Sequence, residues 1–167
     1  MTKYYAGVGS RQTPENILHL MTRIAMRMAE LGWVLRSGGA KGADYAFEKG
    51  AGDKKEIYLP WRGFGGSNSE HIVGSYPRLR EIAEKHHPAW QACSAAAKSL
   101  HTRNVAQILG DSKDSTPSTF VVCWTPEGKG GGGTGQAIRI AHSYGIPVFD
   151  LYFGVDPLAK FMLGLPE

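Results

Sequence analysis

The sequence has little cysteine, no long apolar run and no cluster of charge of one sign. Its two cysteines, Cys93 and Cys123, lie in apolar surroundings without metal-ligand spacing, which favours free buried thiols in a reducing compartment. No apolar stretch approaches the length that spans a membrane, so we expect no membrane partner. The N-terminus leads directly into a strand pattern, and we therefore expect no signal peptide and a cytoplasmic location.

Charge is also sparse. Nineteen Lys and Arg against fifteen Asp and Glu give a formal net charge of +4 among 167 residues. This balance mildly favours anionic partners, but the sequence has no dense Lys/Arg block. Discrete capture of a phosphate group is therefore a better interpretation than non-specific coating of nucleic acid.

What the sequence does have is glycine, in three short polar segments that each follow an apolar run. They are Gly9-Ser10-Arg11, residues 37–44 and residues 130–135. Glycines let backbone N–H groups approach a phosphate, and a following helix N-terminus adds partial positive charge. Three such loops in one small chain predict a nucleotide-like ligand.

Apolar runs alternate with helical patterns along the chain. We predict strands at 4–8, 33–36, 56–60, 119–124 and 146–151. We predict helices from an N-cap at Thr13 to Gly32, over 43–49, over most of 77–110, over 136–144 and from Asp156, with a long loop at 61–74. The alternation predicts a single α/β domain over 1–167. It is Rossmann-like, with a mostly parallel sheet and helices on both faces.

The first glycine loop offers three candidate ligand contacts. Gly9 frees the backbone, Ser10 supplies a hydroxyl and Arg11 can clamp a phosphate with two hydrogen bonds. The spacing is not that of the dinucleotide fingerprint. An ordinary tight turn with a solvated arginine is the alternative.

The second glycine loop supplies six more candidates. They are Ser37, Gly38, Gly39, Ala40, Lys41 and Asp44. Two adjacent glycines directly after a strand suit a nest of N–H donors, and Asp44 can hold a ribose hydroxyl or cap a helix. Lys41 lacks the Gly-Lys-Ser/Thr ending of a P-loop, which disfavours a kinase or NTPase.

Other candidate residues lie outside the loops. Asparagine is a poor helix former, so Asn104 beside Arg103 on a predicted helix indicates a role for its side chain. Trp61 suits stacking on a nucleobase or single-stranded DNA, and sealing of the core edge is the equal alternative. His86 and His87 lack a matching ligand set, so we assign no metal and no cofactor.

These segments resemble a known family. Gly9-Ser10-Arg11 and residues 35–44 look like the Rossmann-like domain of the DNA-processing protein A (DprA/Smf) family, part of the SLOG superfamily that includes the LOG phosphoribohydrolases. Arg103-Asn104 resembles the Arg-Asn pair that precedes the fourth strand in DprA proteins, and residues 134–137 correspond to their Ser-Gly-Ser segment. The resemblance covers about 4–151, especially to short, phage-type stand-alone members. It implies DNA recombination as a function class and a homodimer or higher homo-oligomer.

The sequence departs from both branches of that superfamily. DprA proteins usually carry flanking domains, for which we expect no room here. LOG enzymes hydrolyse an N-glycosidic bond with a glutamate, and Ala137 stands at the aligned position. We therefore lean towards a protein that is not an enzyme and assign no catalytic residue, leaving Glu70, Glu81 and Glu84 as unplaced acids.

The leading hypothesis is a nucleotide-binding protein that holds phosphates on its glycine loops. The third loop and the helix start after it add five candidates, which are Gly132, Gly133, Thr134, Gly135 and Gln136. A recombination mediator that binds single-stranded DNA is one alternative. An N-glycosidic hydrolase or transferase is the other.

Overall fold

Strands and helices alternate along the chain in the computed structural model, which describes residues 1–166. The strands are Lys3–Gly7 (β1), Trp33–Ser37 (β2), Lys55–Leu59 (β3), His71–Ile72 (β4), Val121–Cys123 (β5) and Val148–Asp150 (β6). The helices are Glu15–Glu30 (α1), Ala43–Ala51 (α2), Pro77–His86 (α3), Ala95–Leu109 (α4), Gly132–Ser143 (α5) and Asp156–Leu163 (α6). The predicted α/β class is confirmed.

All six strands are parallel, in the order β4-β3-β2-β1-β5-β6. The chain first builds outwards from β1 to β4, and then returns to place β5 on the other side of β1. The register sets Tyr5 of β1 beside Leu35 of β2, and Gly7 of β1 beside Val122 of β5. The strand order therefore reverses between β1 and β5. In open α/β sheets the ligand crevice lies at such a point, outside the carboxyl ends of the strands.

Helices cover both faces of the sheet, as predicted. On one face α1, α2 and α6 bury apolar side chains such as Met21, Phe47 and Leu158. On the other face α3, α4 and α5 do the same through Leu79, Ile108 and Ile140. Successive residues of β1, β3 and β5 alternate between these two cores, so the buried parts of these strands are apolar on both sides, as is typical of parallel sheets.

Two local predictions were wrong. The predicted loop at 61–74 contains a tight turn at Phe64–Gly66 and the short strand β4, whose His71 pairs with Tyr58 of β3. Two residues are too few to show an alternating pattern. Helix α1 begins without a side-chain cap: Pro14 occupies the N-cap position, and the Thr13 hydroxyl donates instead to the Ser10 carbonyl at 2.6 Å.

Helix α5 also starts earlier than predicted, at Gly132 rather than 136. Glycine has low helix propensity, which hid this first turn from a sequence-based prediction. Within residues 1–166, no helix is both long enough and apolar enough to cross a membrane.

Candidate functional site

A cleft of about 790 Å³ lies where the strand order reverses. One wall is the loop after β1, from Gly9 to Gln12, and another is the loop after β5 with the first turn of α5. Helix α4 supplies a third wall through Leu100, Arg103 and Asn104. Because these elements meet at the carboxyl ends of β1 and β5, the fold itself places the first and third glycine loops together.

A buried ion pair lies at the base of this cleft. Arg103 of α4 and Asp44 of α2 are 7% and 4% exposed, and Arg103 Nη1 lies 3.4 Å from Asp44 Oδ2. The same Nη1 donates to the Gly38 carbonyl at 2.7 Å. Burial raises the pKa of the Asp44 carboxyl and lowers the pKa of Arg103, while the attraction between the two groups opposes both shifts. Each charge therefore depends on the other to remain buried.

A second guanidinium lines the same cleft. Arg11 is exposed and forms no ion pair with any residue of 1–166. Its charge contributes to lowering the pKa of Arg103, so the two cations share one electrostatic environment. Asp44, the one carboxylate that is buried among residues 1–166, balances only one of them. The excess positive charge favours an anion in the cleft.

The first turn of α5 presents uncovered backbone to the cleft. Gly131 and Gly133 both line it, and a Cβ added at either position would meet nothing within 4 Å. Neither has a positive φ, so the fold does not require glycine at these two positions. The Asn104 amide donates to the Gly133 carbonyl at 3.3 Å and holds this turn against α4. The N-terminus of a twelve-residue helix therefore faces the cleft without side chains in front of it.

The second glycine loop is arranged differently, because the side chains of other residues lie directly beside Gly38 and Gly39. A Cβ at Gly38 would lie 1.8 Å from Arg103 Nη1. Gly39 has φ +72°, and a Cβ there would lie 2.6 Å from Leu59 Cδ2. Of this loop, Ala40 and Asp44 reach the cleft wall.

Ser37 and Lys41 of the same loop do not line the cleft. The Ser37 hydroxyl is buried and donates to the Gly7 carbonyl at 2.6 Å, which ties β2 to β1. Lys41 is exposed outside the cleft wall. These two candidates stay predictions without support from the cleft geometry.

Three further candidates also lie outside the cleft wall. Trp61 is 41% exposed and packs edge-to-face on Phe64, with ring centroids 5.3 Å apart. A Cβ at Gly135 would lie 2.5 Å from the Gly130 carbonyl oxygen, so close packing explains that glycine. Gln136 is fully buried and donates to the Ala83 carbonyl at 2.9 Å. By contrast Gly9, Ser10, Gly132 and Thr134 all line the cleft.

The structure adds cleft residues that sequence reasoning missed. Gln107 is buried, and its Oε1 has no hydrogen-bond partner in residues 1–166. His101 lines the cleft as well, and burial, helped by the charges of His87 and Arg139, lowers its pKa to about 4. The spacing from Leu100 through Arg103 to Gln107 is that of one helical face, and this was the signal available in the sequence.

Carboxylates are scarce in the cleft. Ala137, which the sequence resemblance aligns with the glutamate of LOG enzymes, lines it. The two acidic side chains in the wall are Asp44, paired with Arg103, and Glu127, whose carboxylate lies 2.6 Å from Lys129 Nζ. The unplaced acids Glu70, Glu81 and Glu84 are exposed and do not line the cleft.

Comparison with known proteins gives a fold but no family. No family model and no curated protein matches the chain. Among solved structures, DNA processing protein A from Helicobacter pylori, described for its single-stranded DNA binding mode, is similar at 19% identity and a TM-score of 0.50. The match covers 89% of this chain and 64% of that protein, so the chain spans less than two thirds of its length. The molybdenum cofactor carrier protein from Chlamydomonas reinhardtii is similar at 16% identity and a TM-score of 0.45, over 98% of this chain and 99% of that one. The chain therefore has a Rossmann-like fold like that of DNA processing protein A.

Proposed function

We propose that the chain binds a nucleotide, or a signal derived from one, by its phosphates in the cleft between β1 and β5. One observation carries this proposal: unpaired Arg11 and the bare backbone of Gly131 and Gly133 line the same cleft. A guanidinium and free N–H groups at a helix N-terminus are both phosphate ligands.

The remaining walls suit the rest of a nucleotide. A volume of about 790 Å³ lies in the range of small-molecule sites. The Phe64 ring and the side chain of Leu100 give apolar surface for a base or sugar. The unpartnered Gln107 Oε1 needs a donor, which an exocyclic amine or a ribose hydroxyl would supply.

The proposal is for binding without cleavage of the glycosidic bond. Ala137 cannot act as an acid or base, the buried Asp44 is paired with Arg103, and Glu127 is an exposed side chain beside Lys129. Incubation with nucleoside monophosphates should therefore release no free base above a buffer control. Base release by the protein that is lost in a Glu127→Gln variant would contradict this part of the proposal.

We also propose a family for the chain. We infer that the chain is a member of the DprA/SLOG group, phage-type, cytoplasmic and homo-oligomeric, which acts by sequestering its ligand. The fold and the Gly9-Ser10-Arg11 loop support the group. The oligomeric state stays a prediction that light scattering would test.

Single-stranded DNA is the second candidate ligand. The fold likeness to DNA processing protein A favours it, because that protein is described as binding single-stranded DNA. The modest charge of +4, without a Lys/Arg run, favours the smaller ligand.

A length series separates the two candidates. We expect calorimetry to show saturation with a nucleoside mono- or diphosphate. Fluorescence anisotropy with oligonucleotides should show little gain in affinity with length. Affinity that rises with oligonucleotide length and falls steeply with salt, without mononucleotide binding, would instead assign a DNA groove.

A further inference from the structure

Three side chains that commonly bind metals converge at one edge of the cleft. His87 and Cys93 lie in the connection between α3 and α4, and His101 lies two turns into α4. Each side chain offers one ligand atom, and these three atoms all lie within 4.8 Å of one another. The Cys93 sulfur is 3.7 Å from His87 Nε2, and the rings of His87 and His101 have centroids 4.4 Å apart. We call this group the His-Cys cluster.

The fold brings the cluster together through a tight turn. Helix α3 ends at His86, the turn Trp90–Ala92 follows, and α4 begins at Ala95. Trp90 is buried and fixes this turn against the core, with its ring edge-on to His87 at a centroid distance of 6.4 Å. Because ordered structure flanks every member of the cluster, its geometry does not depend on a free loop.

The ligand atoms have few other partners. His101 Nδ1 is buried without a hydrogen bond in residues 1–166. Besides its contacts with His87, the Cys93 thiol donates to the Ala89 carbonyl at 3.5 Å. His87 Nδ1 accepts from the Ala89 N–H at 3.0 Å. Coordination through Nδ1 would replace that hydrogen bond, and coordination through Nε2 would move the ring proton onto Nδ1 and break it, so metal binding costs one hydrogen bond.

We propose that His87, Cys93 and His101 bind a divalent metal ion of the zinc type, with its fourth position open to the cleft. Two imidazoles and a thiolate are ligands that zinc prefers. In a tetrahedral zinc site, ligand atoms lie about 3.5 Å apart, close to the present sulfur–nitrogen separation of 3.7 Å. Small side-chain rotations close the longer separations.

The number of ligands indicates an open site. Structural zinc sites have four protein ligands, whereas three protein ligands leave one position for water or a substrate atom. His101 belongs both to the His-Cys cluster and to the wall of the cleft. A metal here would therefore offer a Lewis-acidic contact to an anionic oxygen of a cleft ligand. The nearby Arg139 opposes the ion, and the Cys93 thiolate compensates part of that repulsion.

Cobalt substitution tests the proposal directly. Chelator-treated protein is titrated with Co²⁺, and we expect a near-ultraviolet sulfur-to-cobalt band and an intense tetrahedral visible spectrum at one ion per chain. Zn²⁺ should abolish both signals by competition. Cys93→Ala should lose the sulfur band, and His87→Ala should weaken Co²⁺ binding at least tenfold. His142→Ala, which removes an exposed histidine of α5, is the matched control and should bind like the parent.

The buried thiol of Cys123 serves as an internal control, because it remains in every variant. Absence of the sulfur band, or a band that survives Cys93→Ala, would overturn the site. Circular dichroism of each variant verifies that it is folded. Inorganic phosphate should alter the visible Co²⁺ spectrum, and an unchanged spectrum would overturn the open fourth position.

Discussion

The second and third glycine loops look alike in sequence, yet Gly38 and Gly39 of one differ in their surroundings from Gly131 and Gly133 of the other. At Gly38 and Gly39 an added Cβ would collide with Arg103 and Leu59, so the protein itself occupies the space that glycine leaves. At Gly131 and Gly133 the same Cβ would meet nothing. A glycine required by packing reports on the fold, whereas a glycine next to open space in a cleft leaves its backbone accessible from the cleft. Substitutions at these positions test that distinction.

The largest effect is expected at Gly38. Gly38→Ala places a methyl group where Arg103 Nη1 lies and so forces the buried guanidinium away from Asp44. Breaking a buried pair costs about 3–5 kcal/mol, and we expect a loss of that size in the free energy of unfolding. Urea denaturation followed by circular dichroism measures it. A loss below 1 kcal/mol would mean that the second loop is not held by packing.

Binding should respond next most strongly to Arg11. Arg11→Ala removes the unpaired cation of the cleft and should weaken nucleotide binding by about 1.5–3 kcal/mol, the size of a charged hydrogen bond. Lys41→Ala is the matched control, since Lys41 is a cation of the second loop outside the cleft wall. Calorimetric titration compares them. Equal losses of affinity in the two variants would indicate that Arg11 attracts the nucleotide at long range and does not contact it.

A smaller effect is expected from a carboxylate in the third loop. Gly131→Asp adds negative charge to the cleft at a position with free space, so the protein should stay folded. Repulsion of phosphate should lower affinity about tenfold, or about 1.4 kcal/mol, and high salt should reduce the difference. Gly131→Asn controls for side-chain size and should bind more tightly than the aspartate variant. Identical affinities of the aspartate and asparagine variants would mean that the phosphate does not bind at this end of the cleft.

The smallest change in stability is expected at Gly133. Gly133→Ala lies in the first turn of α5, has open space and avoids positive φ, so alanine should raise stability by up to about 0.5–1 kcal/mol. Its methyl group should nevertheless weaken ligand binding, because it lies over the exposed backbone. Thermal melts and titration together measure both effects. A destabilised Gly133→Ala protein would show that the two loops do not differ as described.

Most of the architecture could be predicted from the sequence. The structural reason for each glycine could not. All the strands except the two-residue β4 were predicted, because they lie in apolar runs. The Arg103–Asp44 pair joins residues 59 positions apart, and only the packing of α4 on the sheet brings Arg103 to the start of α2, at the carboxyl end of β2. A Gly-Gly pair after a strand has the same pattern whether a ligand or a guanidinium fills the space. Spacing alone could not distinguish them.

The His-Cys cluster was missed for a related reason. His87 and Cys93 are separated by five residues, and His101 follows after seven more, which matches no common zinc motif. The tight turn at Trp90–Ala92 shortens the distance between them, and its geometry depends on the burial of Trp90. Tertiary packing rather than local pattern sets that geometry.

Because the strand order reverses between β1 and β5, the two walls of the cleft come from distant parts of the sequence and are synthesised at different times. The first cleft loop, Gly9 to Gln12, is synthesised more than a hundred residues before its opposite wall at Gly131–Gly133. Until then, the chain contains only the part of the cleft wall that precedes Gly131. Ligand affinity therefore arises in one late step, and a ligand can stabilise only those chains whose synthesis has passed α5.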